Sequence, residues 1–139
     1  MDKKLELVVL PVTDVDRAKE FYERAGFRVD VDHRAGPDFR VVQLTPPGSA
    51  CSISIGTGLT PAPPGSAQGL HLVVEDIAAA RSELVDAGVE VGEPFHFGPE
   101  GRADGIDPER RDYGTFAELS DPDGNGWLLQ EVRERAPGR

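Results

Sequence analysis

The sequence predicts an α+β fold made from two copies of one βαβββ unit. Three observations carry that prediction: an internal repeat, a matched pair of capped helices, and short apolar strand runs around each helix. Sliding the chain against itself by 62 positions sets Val12 on Val74, Asp14 on Asp76, Ala18 on Ala80, Ala25-Gly26 on Ala87-Gly88 and Val29 on Val91. Leu10 with Leu72, Val15 with Ile77, Lys19 with Arg81 and Phe27 with Val89 are similar pairs in the same register. A register kept through a strand, a helix and the next strand marks a duplication, and two copies are too few for a solenoid.

Each copy justifies its elements in the same order. Leu5 to Val12 and Gly69 to Val74 are short Leu- and Val-rich runs that suit strands. Asp14 and Asp76 follow as N-cap residues whose carboxylates accept from free amides of the coming helix. Val15, Ala18, Phe21, Tyr22 and Ala25 then share one helical face, as do Ile77, Ala80, Leu84 and Ala87. Gly26 and Gly88 stand where a helix closes on a left-handed residue. Later strands are expected at Phe27 to Val31, Phe39 to Leu44 and Cys51 to Ile55, and again at Val89 to Val91, Thr115 to Leu119 and Gly126 to Val132.

Strand alternation separates two faces. Val8, Leu10 and Val12, with their counterparts Leu70, Leu72 and Val74, form a shared apolar face for the helix. The opposite face differs between copies: Leu7, Val9 and Pro11 against Gly69, His71 and Val73. A surface that packing does not force to match is free to line a ligand cavity. We therefore expect the function in a cavity where the copies meet. The organisation reads as one domain, with module one at 4–56, a Gly/Pro/Ser-rich linker at 57–68, module two at 69–133 and a tail at 134–139. His96 to Tyr113 reads as a long irregular connection, either a lid over the cavity or a solvated insertion.

Composition narrows the function classes. With a formal charge of −10 and no basic stripe, the chain is expected to bind no nucleic acid and to favour neutral or cationic ligands. No apolar run reaches the roughly 20 residues that span a bilayer, so no membrane role is expected. The first residues carry no apolar leader, and the single cysteine, Cys51, fits a reducing compartment, so a cytoplasmic location is expected. No phosphate-binding Gly-rich loop with Lys, no Gly-x-Ser-x-Gly elbow and no Cys-x-x-Cys pair is present.

The Leu-x-Val-x-Asp-helix-Gly pattern given twice, followed by Asp121-Pro122-Asp123-Gly124-Asn125-Gly126-Trp127, resembles the vicinal oxygen chelate superfamily. That group includes glyoxalase, bleomycin-resistance proteins, extradiol dioxygenases and fosfomycin-resistance enzymes. The DPDGN segment alone reads as a tight structural turn. The resemblance covers nearly the whole chain and implies βαβββ modules curling into an open, cupped mixed β-barrel with helices outside. It also implies a homodimer, sometimes with exchanged modules.

Metal-using members of that superfamily carry His or Gln on the first strand of each module and Glu on the last. The corresponding positions here are Leu7, Gly69 and Leu128, with the fourth on or near Ser52. These are not divalent-metal ligands. A shifted set built on His71 and Gln130 supplies one imidazole and one amide, Glu131 should point away from Gln130, and His33 and His96 read as loop residues. No metal and no other cofactor are expected.

His71 is the candidate for acid–base chemistry, against a plain strand hydrogen bond. Ser54 and Gln130 are read as occupying matching places in the two final strands, where they orient a polar ligand or meet water. Tyr113 and Arg40 near strand starts are candidate mouth contacts, with a surface ion pair as the alternative for Arg40. With Leu7, Val9, Ser52, Gly69 and Leu128 these make the expected ligand-binding set. Trp127 reads as a barrel plug and Cys51 as a packing residue. The expected function is small-molecule binding without metal. The alternatives are a metal-independent isomerase or lyase using His71, and a metal-dependent lyase or dioxygenase.

Overall fold

The duplication in the sequence reappears in the order of elements. The computed structural model describes residues 1–139. Its first half runs β1 (Leu7–Val9), α1 (Val15–Arg24), β2 (Arg28–Arg34), β3 (Arg40–Thr45) and β4 (Ser52–Thr57). The second runs β5 (Leu70–Val74), α2 (Ile77–Asp86), β6 (Phe95–Gly98), β7 (Gly101–Asp104), β8 (Thr115–Ser120) and β9 (Gly126–Glu131). Two compact units result, one of 1–67 with 121–125 and the other of 68–120 with 126–139. The turn joining β8 to β9 is thus part of the first unit.

Both helices begin and end by the same local chemistry. Asp14 accepts from Arg17 N at 3.0 Å and Asp76 from Ala79 N at 3.1 Å, each satisfying an amide the helix leaves unpaired. Gly26 and Gly88 take φ of 95° and 89°, which lets Phe27 N reach Tyr22 O and Val89 N reach Leu84 O, both at 2.9 Å. This six-to-one bond is the Schellman closure that glycine permits without a steric penalty.

In the first unit the sheet order is β1-β4-β3-β2, with β1 parallel to β4 and the other pairs antiparallel. Its helix packs on β3 and β4. Ala18 and Tyr22 from α1 are buried with Leu10, Val42, Leu44, Ile53 and Ile55, alternate residues of the sheet. In the second unit the order is β5-β9-β8-β6-β7. Its helix packs on β8 and β9, where Ile77, Ala117, Leu119, Trp127 and Leu129 are buried.

The second half departs from the expected pattern in one place. Val89 to Val91 is not a strand, although both valines are buried. Gly92 N bonds Glu118 O at 2.8 Å, but Pro94 then has no N–H to donate, so the ladder breaks and resumes at β6. Phe95 pairs with Phe116 and His96 with Thr115, and β6 folds back on β7. The stretch expected to be irregular from His96 therefore holds three of the four residues of β6 and the whole of its return strand β7. Nor are His33 and His96 loop residues: they stand in β2 and β6. No helix is long and apolar enough to cross a membrane.

Candidate ligand-binding face

Pairing in the second unit decides which side chains share a surface. His71 lies opposite Leu128, Val73 opposite Gln130, Glu118 opposite Leu128 and Phe116 opposite Gln130. Phe95 is cross-strand from Phe116, and Arg102 from Phe97. Since partners across a ladder point the same way, these residues form the face that α2 does not cover. Their neighbours Leu72, Leu129 and Ala117 turn to the helix. His71 and Phe97 are exposed, and Leu128, Gln130 and Phe116 are partly so.

The polar centre of this face is a chain of two hydrogen bonds. Gln130 Nε2 donates to the Tyr113 carbonyl at 3.0 Å, and Gln130 Oε1 lies 2.8 Å from His71 Nδ1. Tyr113 has φ of 68°, an unusual value for a residue with a side chain, and its N–H is held by Glu131 O at 2.9 Å. Tyr113, expected as a ligand contact, takes part in this chain through its main-chain carbonyl. Its hydroxyl instead accepts from Ala136 N at 3.0 Å.

Around that centre stands an aromatic cluster. Phe95 and Phe116 stack at 5.6 Å, Phe97 meets them edge-on at 5.9 and 5.8 Å, and His71 stands edge-on to Phe116 at 6.3 Å. The Arg102 guanidinium lies 3.7 Å from the Phe95 ring centre and bonds Glu118 Oε1 at 2.8 Å. Sequence reasoning did not select Phe95, Phe97, Phe116 or Arg102. The available signal was the Phe-x-Phe alternation between Pro94 and the Pro99-Glu100-Gly101 turn, a hairpin signature hidden in a Gly-rich tract.

On the first unit, Leu7, Val9, Ser52, Ser54 and Gln43 share the helix-free face. Ser52 Oγ meets Thr45 Oγ1 at 2.6 Å and accepts from Gln43 Nε2 at 3.3 Å, while the buried Ser54 Oγ has no partner. Ladder register corrects the matching of Ser54 with Gln130. Val9 pairs with Ser54 and its repeat counterpart His71 pairs with Leu128, so Leu128 is the residue equivalent to Ser54. The turn into β4 is one residue longer than the turn into β9, a difference the helix repeat does not reveal. Gly69, with φ of 77°, precedes β5 and presents no side chain.

Arg40 sits on the other side of that sheet. It lines a groove of about 390 Å³ between the start of α1 and the β2–β3 hairpin. All three guanidinium nitrogens are engaged, two on Asp32 at 3.0 and 2.9 Å and one on Asp16 at 2.7 Å. The Arg40 hydrogen bonds, joined by Lys19, hold the Asp32 carboxyl well below the usual carboxylate range. Asp32 and then Asp16 raise the Arg40 pKa in turn. This is the ion-pair alternative, in a buried form.

Known proteins resemble this chain in sequence and fold. The Glyoxalase/Bleomycin resistance protein/Dioxygenase superfamily profile matches residues 4–129. The chain belongs to that superfamily. Among solved structures, it is similar to TnmS3, an antibiotic binding protein from Streptomyces sp. CB03234, with 32% identity, a TM-score of 0.72, and coverage of 94% of this chain and 97% of that one. A superfamily member from Sphaerobacter thermophilus is 27% identical at a TM-score of 0.70, covering 94% and 98%. The uncharacterized protein YetH of Bacillus subtilis is 30% identical over 136 residues, 94% of this chain and 100% of YetH.

The metal site used by some of the superfamily does not fit the residues of this chain. No three His, Cys, Asp or Glu side chains come together as ligands would. His71 faces Leu128, and both ends of the Gln130 amide are already engaged. Glu118 is paired with Arg102. Glu131 points to the helix side, buried against Arg110 and Ile77 N.

Proposed function

We propose that this chain is a binding protein for a small organic molecule, held against the helix-free face of its second sheet without a metal ion. The observation that carries this reading is the partly exposed Phe95–Phe97–Phe116 cluster beside the His71–Gln130 pair. Flat apolar rings with one polar anchor suit a planar ligand body, since stacked or edge-on rings add to what burial contributes. The likeness to an antibiotic binding protein supports the same reading. A charge of −10 favours neutral or cationic ligands over anions.

The test is a thermal-shift and calorimetric screen of neutral and cationic polycyclic drugs. Phe97 is 59% exposed, so Phe97→Ala should leave the fold intact and weaken binding by about tenfold. Unchanged affinity in that variant would remove the face from consideration. Protein purified without chelator should carry no stoichiometric metal, and a bound equivalent would sink the metal-free reading.

A second reading takes His71 as a proton carrier in a metal-independent isomerase or lyase, supported by its exposure on the same face. His71→Ala distinguishes the two: lost turnover at kept affinity supports the enzyme. The reading extends to a cytoplasmic homodimer. In its support, β1 and β2, and in the other sheet β5 and β7, end their sheets without an outer partner strand. Sedimentation of the pure protein measures the assembly.

A further inference from the structure

We propose that Gln130 and the Tyr113 carbonyl lock neutral His71 in its Nδ1-protonated tautomer, so that Nε2 selects ligands bearing a hydroxyl donor on a planar aromatic body. This rests on the binding reading above and names the ligand chemistry of that face.

The lock follows from donor and acceptor inventory. A carbonyl oxygen only accepts, so the Gln130 atom 3.0 Å from Tyr113 O must be the NH₂ group. Flipping the amide would set two oxygens against each other. Oε1 is then the atom 2.8 Å from His71 Nδ1, and an amide oxygen only accepts. The neutral imidazole must therefore carry its proton on Nδ1, which leaves Nε2 with a lone pair. No hydrogen bond within the chain engages Nε2.

The far end of the relay is rigidly placed. Tyr113 is held at φ 68° and Arg110 at φ 50°, both left-handed and both sterically costly for residues with side chains. Glu131 over-determines them: its carbonyl accepts from Tyr113 N at 2.9 Å, and its carboxylate takes Arg110 Nε and Nη2 at 2.8 and 2.7 Å. Asp107 fastens the same loop through Arg111 at 2.9 Å and, by its own amide, to Thr115 Oγ1 at 3.1 Å. The strained backbone therefore turns one carbonyl toward the ligand face and fixes the amide that fixes the imidazole.

What remains on the face completes the specificity. The Phe116 ring lies edge-on to the imidazole, and Phe95 and Phe97 extend the apolar area. A ligand laid on these rings with a hydroxyl at its rim can donate to Nε2. An isosteric methyl ether cannot, and it leaves the lone pair facing apolar matter.

The experiment uses 2-naphthol and 2-methoxynaphthalene, titrated calorimetrically into the full chain at pH 8, with two-bond ¹⁵N–¹H spectra of the imidazole. Naphthol should bind about tenfold tighter than the ether, the size of one net hydrogen bond. The spectra should show protonated Nδ1 and bare Nε2. Gln130→Leu should mix the tautomers and bring the affinity ratio toward one, whereas His71→Phe should abolish the preference but keep stacking. Equal affinities in the parent, a proton on Nε2, or an unchanged ratio in Gln130→Leu would overturn this inference alone. If neither probe binds, the binding reading falls with it. A chain dimer that excludes the probes and separates on Phe97→Asp would assign the face to a second copy instead.

Discussion

Tyr22 in α1 donates its phenolic hydrogen bond to Asp121 Oδ2 at 2.8 Å across 99 residues of sequence. Asp121 leads the turn between the last two strands, so a connection within the second half completes the first unit. The turn is shaped for that task. Asp121 Oδ1 accepts from Asp123 N and Asn125 N, both at 3.0 Å, and Asn125 Nδ2 reaches Pro11 O at 2.9 Å.

Removing the Tyr22 hydroxyl therefore acts on a buried carboxylate. Tyr22→Phe keeps the ring packing and takes one of the two donors from Asp121 Oδ2, the other being Asn125 Nδ2 at 2.8 Å. We expect a loss of about 1–2 kcal/mol and a melting temperature lower by about 5 °C. A calorimetric scan checks it; an unchanged transition would mean the bond contributes nothing net.

Two glycines with nearly the same backbone angle should respond differently to alanine. Gly65 has φ of 79°, and a Cβ there would lie 2.0 Å from the Asp123 carbonyl oxygen, where the linker crosses the turn. Gly69 has φ of 77° and open space around it. Gly69→Ala should cost only the left-handed penalty, about 1 kcal/mol, while Gly65→Ala should cost clearly more because backbone must move. Urea unfolding of the two variants measures the difference, and equal costs would refute the close approach.

These residues mark what was legible in the sequence. Asp14, Asp76, Gly26 and Gly88 were readable because capping is decided within a few residues. The core faces were readable because alternation is local too. The β6–β7 hairpin was not, since Pro94 breaks the expected strand and the short Phe95–Gly98 run is flanked by turn formers. The equivalence of Ser54 and Leu128 depends on turn length beyond the reach of the repeat. His71 was legible as a candidate, but its partner chemistry was not. That chemistry needs the Tyr113 carbonyl, 17 residues from Gln130 in sequence and turned by a backbone angle that no residue pattern announces.

Arg40 offers a test of geometry over charge. Lysine keeps the charge but loses the planar fork that spans Asp32 with two nitrogens and Asp16 with the third. Arg40→Lys should lower stability by about 1–2 kcal/mol at neutral pH, and added salt should recover none of it. Denaturant titration at two ionic strengths checks this. Full retention of stability would show that a point charge suffices.

Acid should unfold the protein through identifiable carboxylates. The Arg110 side chain holds Glu131 below the ordinary glutamate value of 4.5, with the Ile77 amide adding to it. Arg111 and the amides of Glu109 and Arg111 bring Asp107 from 3.8 to about 2. Asp32 is lowered further by Arg40 and Lys19. In every case the folded pKa lies below the unfolded one, so the folded state binds fewer protons and stability rises with pH through the window. The stabilisation is complete above the unfolded values, 4.5 for Glu131 and 3.8 for the two aspartates, and is lost as pH falls through the folded values, about 2 for Asp107 and lowered for Glu131 and Asp32. Glu131→Gln should flatten the upper part of that curve and cost about 2 kcal/mol at pH 7, because the half-buried Arg110 fork loses the charge of its buried acceptor. Stability measured from pH 7 to pH 2 in the parent and this variant decides the matter: parallel curves would mean that Glu131 titrates alike in the folded and unfolded chain.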